Sequence, residues 1–193
     1  MATLGAFFDA NVLYPSGLRN FLMHLALTGI FRAHWSAEVH DEWIRNLLKN
    51  RPDITRDKLE RTRRLMDQAA PDALVSGYES LMESLELPDR DDRHVLAAAI
   101  RCGASVIVTL NLSDFPGHAL ANFRIEAQHP DDFVLGLMET FPDLVLQAAR
   151  THRASLKNPP KTQEGYLAEL DSQGLTKSVR VLRDLAVGGN SGL

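Results

Sequence analysis

The apolar positions of the chain change period along its length, and each change marks an element. Leu4–Phe8 is a short unbroken apolar run that stops at Asp9, the pattern of a strand buried on both faces. Pro15 and Ser16 break and cap. Leu18, Phe21, Leu22 and Leu25 then recur at i, i+3, i+4 and i+7, one buried stripe of a helix that Gly29 ends. Ile30–Trp35 predicts a second strand, Ser36 to about Leu48 a second helix, and Thr55–Ala70 a more polar third, after a turn around Pro52. Residues 71–88 are less regular, with a short helix expected around Tyr78–Glu86 before Pro88 stops it. The clearest unit follows. Asp91 can cap a helix that runs to Arg101, and Gly103 terminates it. Ala104–Leu110, rich in Val and Ile, reads as a buried strand; a polar turn, Asn111–Asp114, and a further strand at Phe123–Ala127 complete the series.

Strands and helices alternating across short turns predict an α/β fold with a parallel sheet. From Pro130 onward the pattern is helical, punctuated by Pro142 and by Pro159–Pro160. The expected organisation is therefore a catalytic-type α/β domain over residues 1–140 and a helical extension over 141–193, frayed from Gly188. With 45% hydrophobic and 24% charged positions in 193 residues, and only 12 Gly and 9 Pro, collagen-like, low-complexity and disordered classes are excluded. Apolar runs such as Val95–Ile100 fall far short of the roughly 20 residues that span a bilayer, and the N-terminus lacks the basic region of a signal peptide. A single cysteine, Cys102, permits no internal disulfide. The expectation is a cytoplasmic protein without a membrane partner.

Charge changes the picture through its distribution, since the net value is only −4. Residues 45–64 are rich in Lys and Arg, including Arg45, Lys49, Arg61, Arg63 and Arg64, whereas residues 65–92 are acidic with Arg90 alone opposing them. Two solvated helix faces would account for this, and so would a phosphate-binding flank beside an acidic cation site.

Three carboxylates stand where an α/β sheet places its chemistry. Asp9 ends the first strand and Asp114 follows the Val/Ile strand; a capping or turn role is the plain alternative for both. If those strands are neighbours, the two acids converge. Asp92 shares a helical stripe with Val95, Leu96 and Ala99, so it faces inward, which is costly for a carboxylate unless it is paired or bound to a cation. On the helix predicted from Ser36 to about Leu48, periodicity does not choose Glu42 over Asp41 or Glu38, and His40 falls among apolar positions as a satisfied core histidine or, less simply, a metal ligand. Oxygen ligands without a Cys/His cluster suit a hard cation, Mg²⁺ or Mn²⁺. Such a site can serve in-line phosphodiester displacement.

The segments Phe7-Phe-Asp9-Ala-Asn11-Val-Leu13, Asp91-Asp92-Arg-His-Val-Leu-Ala-Ala and Val108-Thr109-Leu-Asn111-Leu-Ser-Asp114-Phe115, in this order over residues 4–135, resemble the PIN-domain ribonucleases, which include the VapC toxins of bacterial toxin–antitoxin pairs. The resemblance implies a three-layer α/β/α sandwich with a central parallel sheet, and metal-dependent cleavage of RNA. It implies an acidic quartet of Asp9, Glu42, Asp92 and Asp114, with Asp91 or Asp89 as substitutes for Asp92 that the stripe disfavours. Asn11, on its own position, can hydrogen-bond local backbone or orient Asp9; Thr109 and Asn111 match a polar pair that, in the family, lines the pocket. It further implies a homodimer and a cognate antitoxin. Two other readings stand beside it: a PIN scaffold that binds RNA or protein without catalysis, and a haloacid-dehalogenase-like phosphatase. The latter needs a second Asp where this chain has Asn11.

Overall fold

The computed structural model describes residues 3–188, and the frayed tail expected beyond them lies outside the described residues. In chain order the elements begin with β1 (Gly5–Phe8), α1 (Ala10–Leu13), α2 (Ser16–Ala26), β2 (Arg32–Ser36), α3 (Ala37–Asn50), α4 (Arg56–Ala69) and β3 (Leu74–Val75). A 3-10 segment, Glu79–Ser84, leads to α5 (Arg93–Cys102) and β4 (Val106–Val108). Further 3-10 turns at Leu112–Asp114 and Ala121–Phe123 flank α6 (Gly117–Leu120), after which come β5 (Glu126–Gln128), α7 (Pro130–Thr140), α8 (Pro142–Ser155), α9 (Gln163–Ser172) and α10 (Thr176–Gly188).

Most departures from the pattern-based expectations are short elements. β3 has two residues and α6 four, too few to show a period. The helix expected at Tyr78–Glu86 is the 3-10 segment. Asp92, not Asp91, holds the N-cap position of α5, and its side chain makes no capping hydrogen bond. Likewise Pro15 occupies the N-cap of α2 and Ser16 is its first residue, without a side-chain cap.

The chain forms two compact units. One comprises the chain to Tyr14 together with Phe31–His129; the other comprises Pro15–Ile30 and the chain from Pro130 onward. The expected boundary at 140/141 lies between α7 and α8; the compact units divide at His129/Pro130, and α2 belongs to the second.

In the first unit, five strands run in the order β3-β2-β1-β4-β5, all pairs parallel. Helices lie on both sides of the sheet, the three-layer arrangement that the sequence implied. The order reverses between β1 and β4, so the crevice at their carboxyl ends is the switch point where such sheets bind ligands. Every residue of β1 and β4 is buried, which explains their unbroken apolar runs. α5 packs across β1, β2 and β4, and its Val95, Leu96 and Ala99 are fully buried. Gly103 ends it at φ 68, a left-handed turn that a side chain would strain. α3 begins at Ser36, whose hydroxyl accepts from Val39 N–H at 3.2 Å.

His40 is a core histidine, as its place among apolar positions suggested. Trp43 Nε1 donates to its Nδ1 at 3.0 Å, so the ring proton sits on Nε2, which faces Asp67 Oδ1 at 3.1 Å. Trp35 Nε1 donates to the same oxygen at 2.8 Å, tying β2, α3 and α4 together.

In the second unit, α2 lies against α8 and α9, and α10 against α7 and α9. Asp131, almost fully buried, accepts from the N–H groups of Lys177 and Ser178, both at 2.8 Å, and from Ser178 Oγ at 2.6 Å. Its carboxylate thus caps α10 from another helix, each bond to a charged acceptor contributing roughly 1.5–3 kcal/mol.

Candidate active site

The sheet register builds the site. Phe8 pairs with Val108, so the next residues, Asp9 and Thr109, stand side by side at the carboxyl ends of β1 and β4. Thr109 Oγ1 donates to Asp9 Oδ2 at 2.7 Å, and Asn11 Nδ2 donates to the same oxygen at 2.7 Å. Asn11 Nδ2 also contacts Thr109 Oγ1 at 2.9 Å, while Asn11 Oδ1 accepts from Leu110 N–H at 2.9 Å. Asp9 Oδ1 takes the N–H of Ala10 at 2.6 Å. Only 5% exposed, Asp9 is held from three sides, and Asn11 is its orienting group. Its carboxyl pKa rises to about 6, first because burial penalises the charge and further because Glu42 repels it; the Thr109 hydroxyl works against both.

Asp92 reaches the same place from the start of α5. Half-buried, it has a pKa pushed up to about 7 by desolvation first, then by the charges of Asp9, Asp114, Asp89 and Glu42. The four acids of the implied quartet therefore share one electrostatic neighbourhood. Asp114, on the 3-10 turn after β4, is bound by Asn111 Nδ2, and Ser113 Oγ donates to Asn111 Oδ1 at 2.7 Å. Asn111 N–H in turn donates to Thr109 Oγ1 at 3.0 Å, so the Thr109/Asn111 pair links Asp9 to Asp114.

Glu42 stands on α3 among three acids that periodicity could not rank. The structure separates them. Asp41, at the rim of the cavity beside the acids, pairs with Arg63 at 2.8 Å, while Glu42 and Glu38 both face His94, a buried residue of α5. His94 is the site residue that the sequence alone did not single out. Its imidazole pKa is raised: burial opposes the charge, but Glu42, Glu38 and Asp9 more than offset it. A polar cavity of about 580 Å³ opens beside the acids, lined in part by Glu42, Asp92, His94, Arg45 and Arg90.

Among the described residues the donor set contains carboxylates and neutral oxygens, with no thiolate, and the nearby imidazole, His94, lies between two glutamates. That chemistry fits a hard divalent cation. Among the described residues no three acidic, histidine or cysteine side chains form a group already placed to hold a metal ion. Of the basic residues singled out in the sequence, Arg45 lies at the cavity, Lys49, Arg61 and Arg64 are exposed, and Arg63 is engaged by Asp41.

Comparison with known proteins bears on both units. Residues 6–113 match the PIN domain family, and residues 130–184 match a family described as the VapC50 C-terminal domain. A protein of Mycobacterium tuberculosis (strain ATCC 25618 / H37Rv), named "Putative ribonuclease VapC50", is 37% identical over 109 residues, covering 54% of this chain and 64% of that protein. The chain thus spans less than two thirds of that relative's length. No solved structure matches the chain. Strand order, the Asp9–Thr109 junction and the family match over more than half the residues agree: the chain belongs to the PIN-domain family.

Proposed function

We propose that this protein is a Mg²⁺- or Mn²⁺-dependent endoribonuclease and the VapC-type toxin of a toxin–antitoxin pair. The observation that carries the reading is that buried Asp9 and half-buried Asp92, raised first by desolvation, also feel neighbouring carboxylates, Glu42 in both cases and Asp114 in the second. When bound there, a hard divalent cation supplies charge neutralisation at a phosphodiester and a more acidic water. The chain's own residues do the rest. Thr109 and Asn11 fix Oδ2 of Asp9, Asn111 fixes Asp114, and Asp92 presents a carboxylate that no capping bond consumes. Arg45 and Arg90, at the cavity wall, are placed to meet the phosphates that flank the cleaved bond. Asn11 donates to Asp9, the opposite of the acid/base group a haloacid-dehalogenase-like phosphatase needs at that position.

The relative's printed name supports an RNA substrate. A cognate antitoxin, a homodimer and a cytoplasmic setting belong to the same proposal; no helix among the described residues is long and apolar enough to cross a membrane. The test is cleavage of a mixed RNA pool by purified protein with and without Mn²⁺ or Mg²⁺. Cutting that depends on the metal and stops with a chelator is expected, and intact RNA under all conditions would leave the scaffold reading.

The basic flank yields a separate expectation. Reversing Arg61 and Arg64 to Glu should weaken RNA binding several-fold at low salt and flatten its salt dependence, with folding unchanged. Arg63→Glu should instead lower stability, because it opposes Asp41 and Glu60. Filter binding and thermal melts separate the two outcomes, and equal RNA affinity of the Arg61/Arg64 variant and wild type would remove the helix from the substrate path.

A further inference from the structure

His94 lies between two glutamates that stand on one helix. Glu38 and Glu42 are one turn apart on α3, hence on one face of the helix. His94 belongs to the first turn of α5, two residues after Asp92, and is 4% exposed. Its Nε2 lies 3.6 Å from Glu42 Oε2 and its Nδ1 3.8 Å from Glu38 Oε2. Nδ1 is buried and makes no hydrogen bond, and the ring stands between the two carboxylates. Glu38 is steadied from the far side by Tyr78, whose hydroxyl donates to the same Oε2 at 3.4 Å. On the near side, Glu42 is one of the charges felt by Asp9 and Asp92.

We infer that His94 is a positioning residue for the acidic site: braced by Glu38 and Tyr78, it holds Glu42 toward Asp9 and Asp92 so that Glu42 joins the cation's ligands. The physical need is specific. Glu42 has three side-chain torsions and stands partly exposed on the polar border of its helix, so without a fixed donor its carboxylate samples solvent, away from two like charges that repel it. Asp9 and Asp114 are each fixed by neighbours in their own strand-end loops; Glu42 has no such neighbour among the described hydrogen bonds, and His94 takes that part from across the site. Partners that orient a metal-binding carboxylate typically change metal affinity 10–100-fold when removed.

This inference rests on the metal-site reading, and the experiment keeps the two apart. Mn²⁺ binding is measured by isothermal titration on the full chain for wild type, His94→Leu, His94→Gln, Glu42→Gln and the double variant His94→Leu/Glu42→Gln, with circular dichroism to verify folding. Wild type that binds no Mn²⁺ overturns the metal reading and this assignment with it. If wild type binds, His94→Leu is expected to weaken Mn²⁺ about 10–100-fold. His94→Gln, which keeps a donor near the Nε2 position, should recover much of that loss, and the double variant should bind no more weakly than Glu42→Gln alone. A purely structural histidine would give losses that add in the double variant and no rescue by Gln; either result, or unchanged affinity in a folded His94→Leu, overturns the assignment. Should His94→Leu fail to fold, His94→Ala, alone and combined with Glu42→Gln, supplies the same test of additivity.

Discussion

Asp9→Asn should abolish RNA cleavage and, in the same molecule, raise the melting temperature of the metal-free protein at pH 8. The carboxyl of Asp9 has a pKa of about 6 in the folded state against an ordinary 3.8, with burial as the main cause. A folded state that binds the proton more tightly than the unfolded chain loses stability as pH rises from about 4 through about 6, and the whole deficit is present at pH 8. The shift corresponds to roughly 3 kcal/mol. Asparagine removes the charge and still accepts from Thr109 and Asn11, but its amide cannot also accept from Ala10 N–H, a loss of about 1 kcal/mol. A net gain of about 1–2 kcal/mol follows, some 2–8 °C for a chain of this size. Cleavage should fall about 100-fold or more, since on the proposed mechanism the variant lacks a charge needed for the cation. A variant that cuts like wild type would remove Asp9 from the chemistry; one that melts lower would mean that its hydrogen bonds outweigh its desolvation.

Mn²⁺ affinity should drop roughly 100-fold when pH is lowered from 8 to 5.5. Asp92 titrates near 7 and Asp9 near 6, both raised first by burial and then by neighbouring carboxylates. Below those values a cation has to displace a proton from each, and every unit of pH beneath a pKa costs about tenfold for that group. Because the two acids repel one another, the fall belongs to the pair and not to either residue. Titration calorimetry at a series of pH values reads it directly, and two buffers of different ionisation enthalpy count the protons released. An affinity that stays level across the range would show that neither acid is a ligand.

Much of the site was legible because its residues sit where a period is interrupted. Asp9 stops an apolar strand, Asp92 puts a charge on an apolar stripe, and Asp114 follows the Val/Ile strand; each reads as an anomaly without knowledge of the tertiary fold. Glu42 is no anomaly, since it borders a polar face beside Glu38 and Asp41, and only the family resemblance preferred it. What distinguishes these three acids is which partner each meets across space: Arg63 for Asp41, His94 for Glu38 and Glu42. For the same reason His94 itself escaped, because its meaning depends on α5 facing α3. Among the elements, β3 and α6 were too short to carry a pattern, whereas the stripes of α2, α3 and α5 were plain.

The fate of α2 has a consequence for how the chain is made. Its residues emerge between β1 and β2, early in synthesis, yet Leu18, Phe21, Leu22 and Leu25 are buried in a unit whose other members begin at Pro130. A hundred residues must leave the ribosome before that apolar stripe can be covered, so the nascent chain carries an exposed sticky helix for most of its translation. A gene fragment cut at residue 129, at the edge of the first compact unit, would make that condition permanent. Its product would be drawn into chaperones or inclusion bodies although every strand of the sheet is intact, and the shortest expressible form of this nuclease-type domain is set by a helix that belongs to its neighbour.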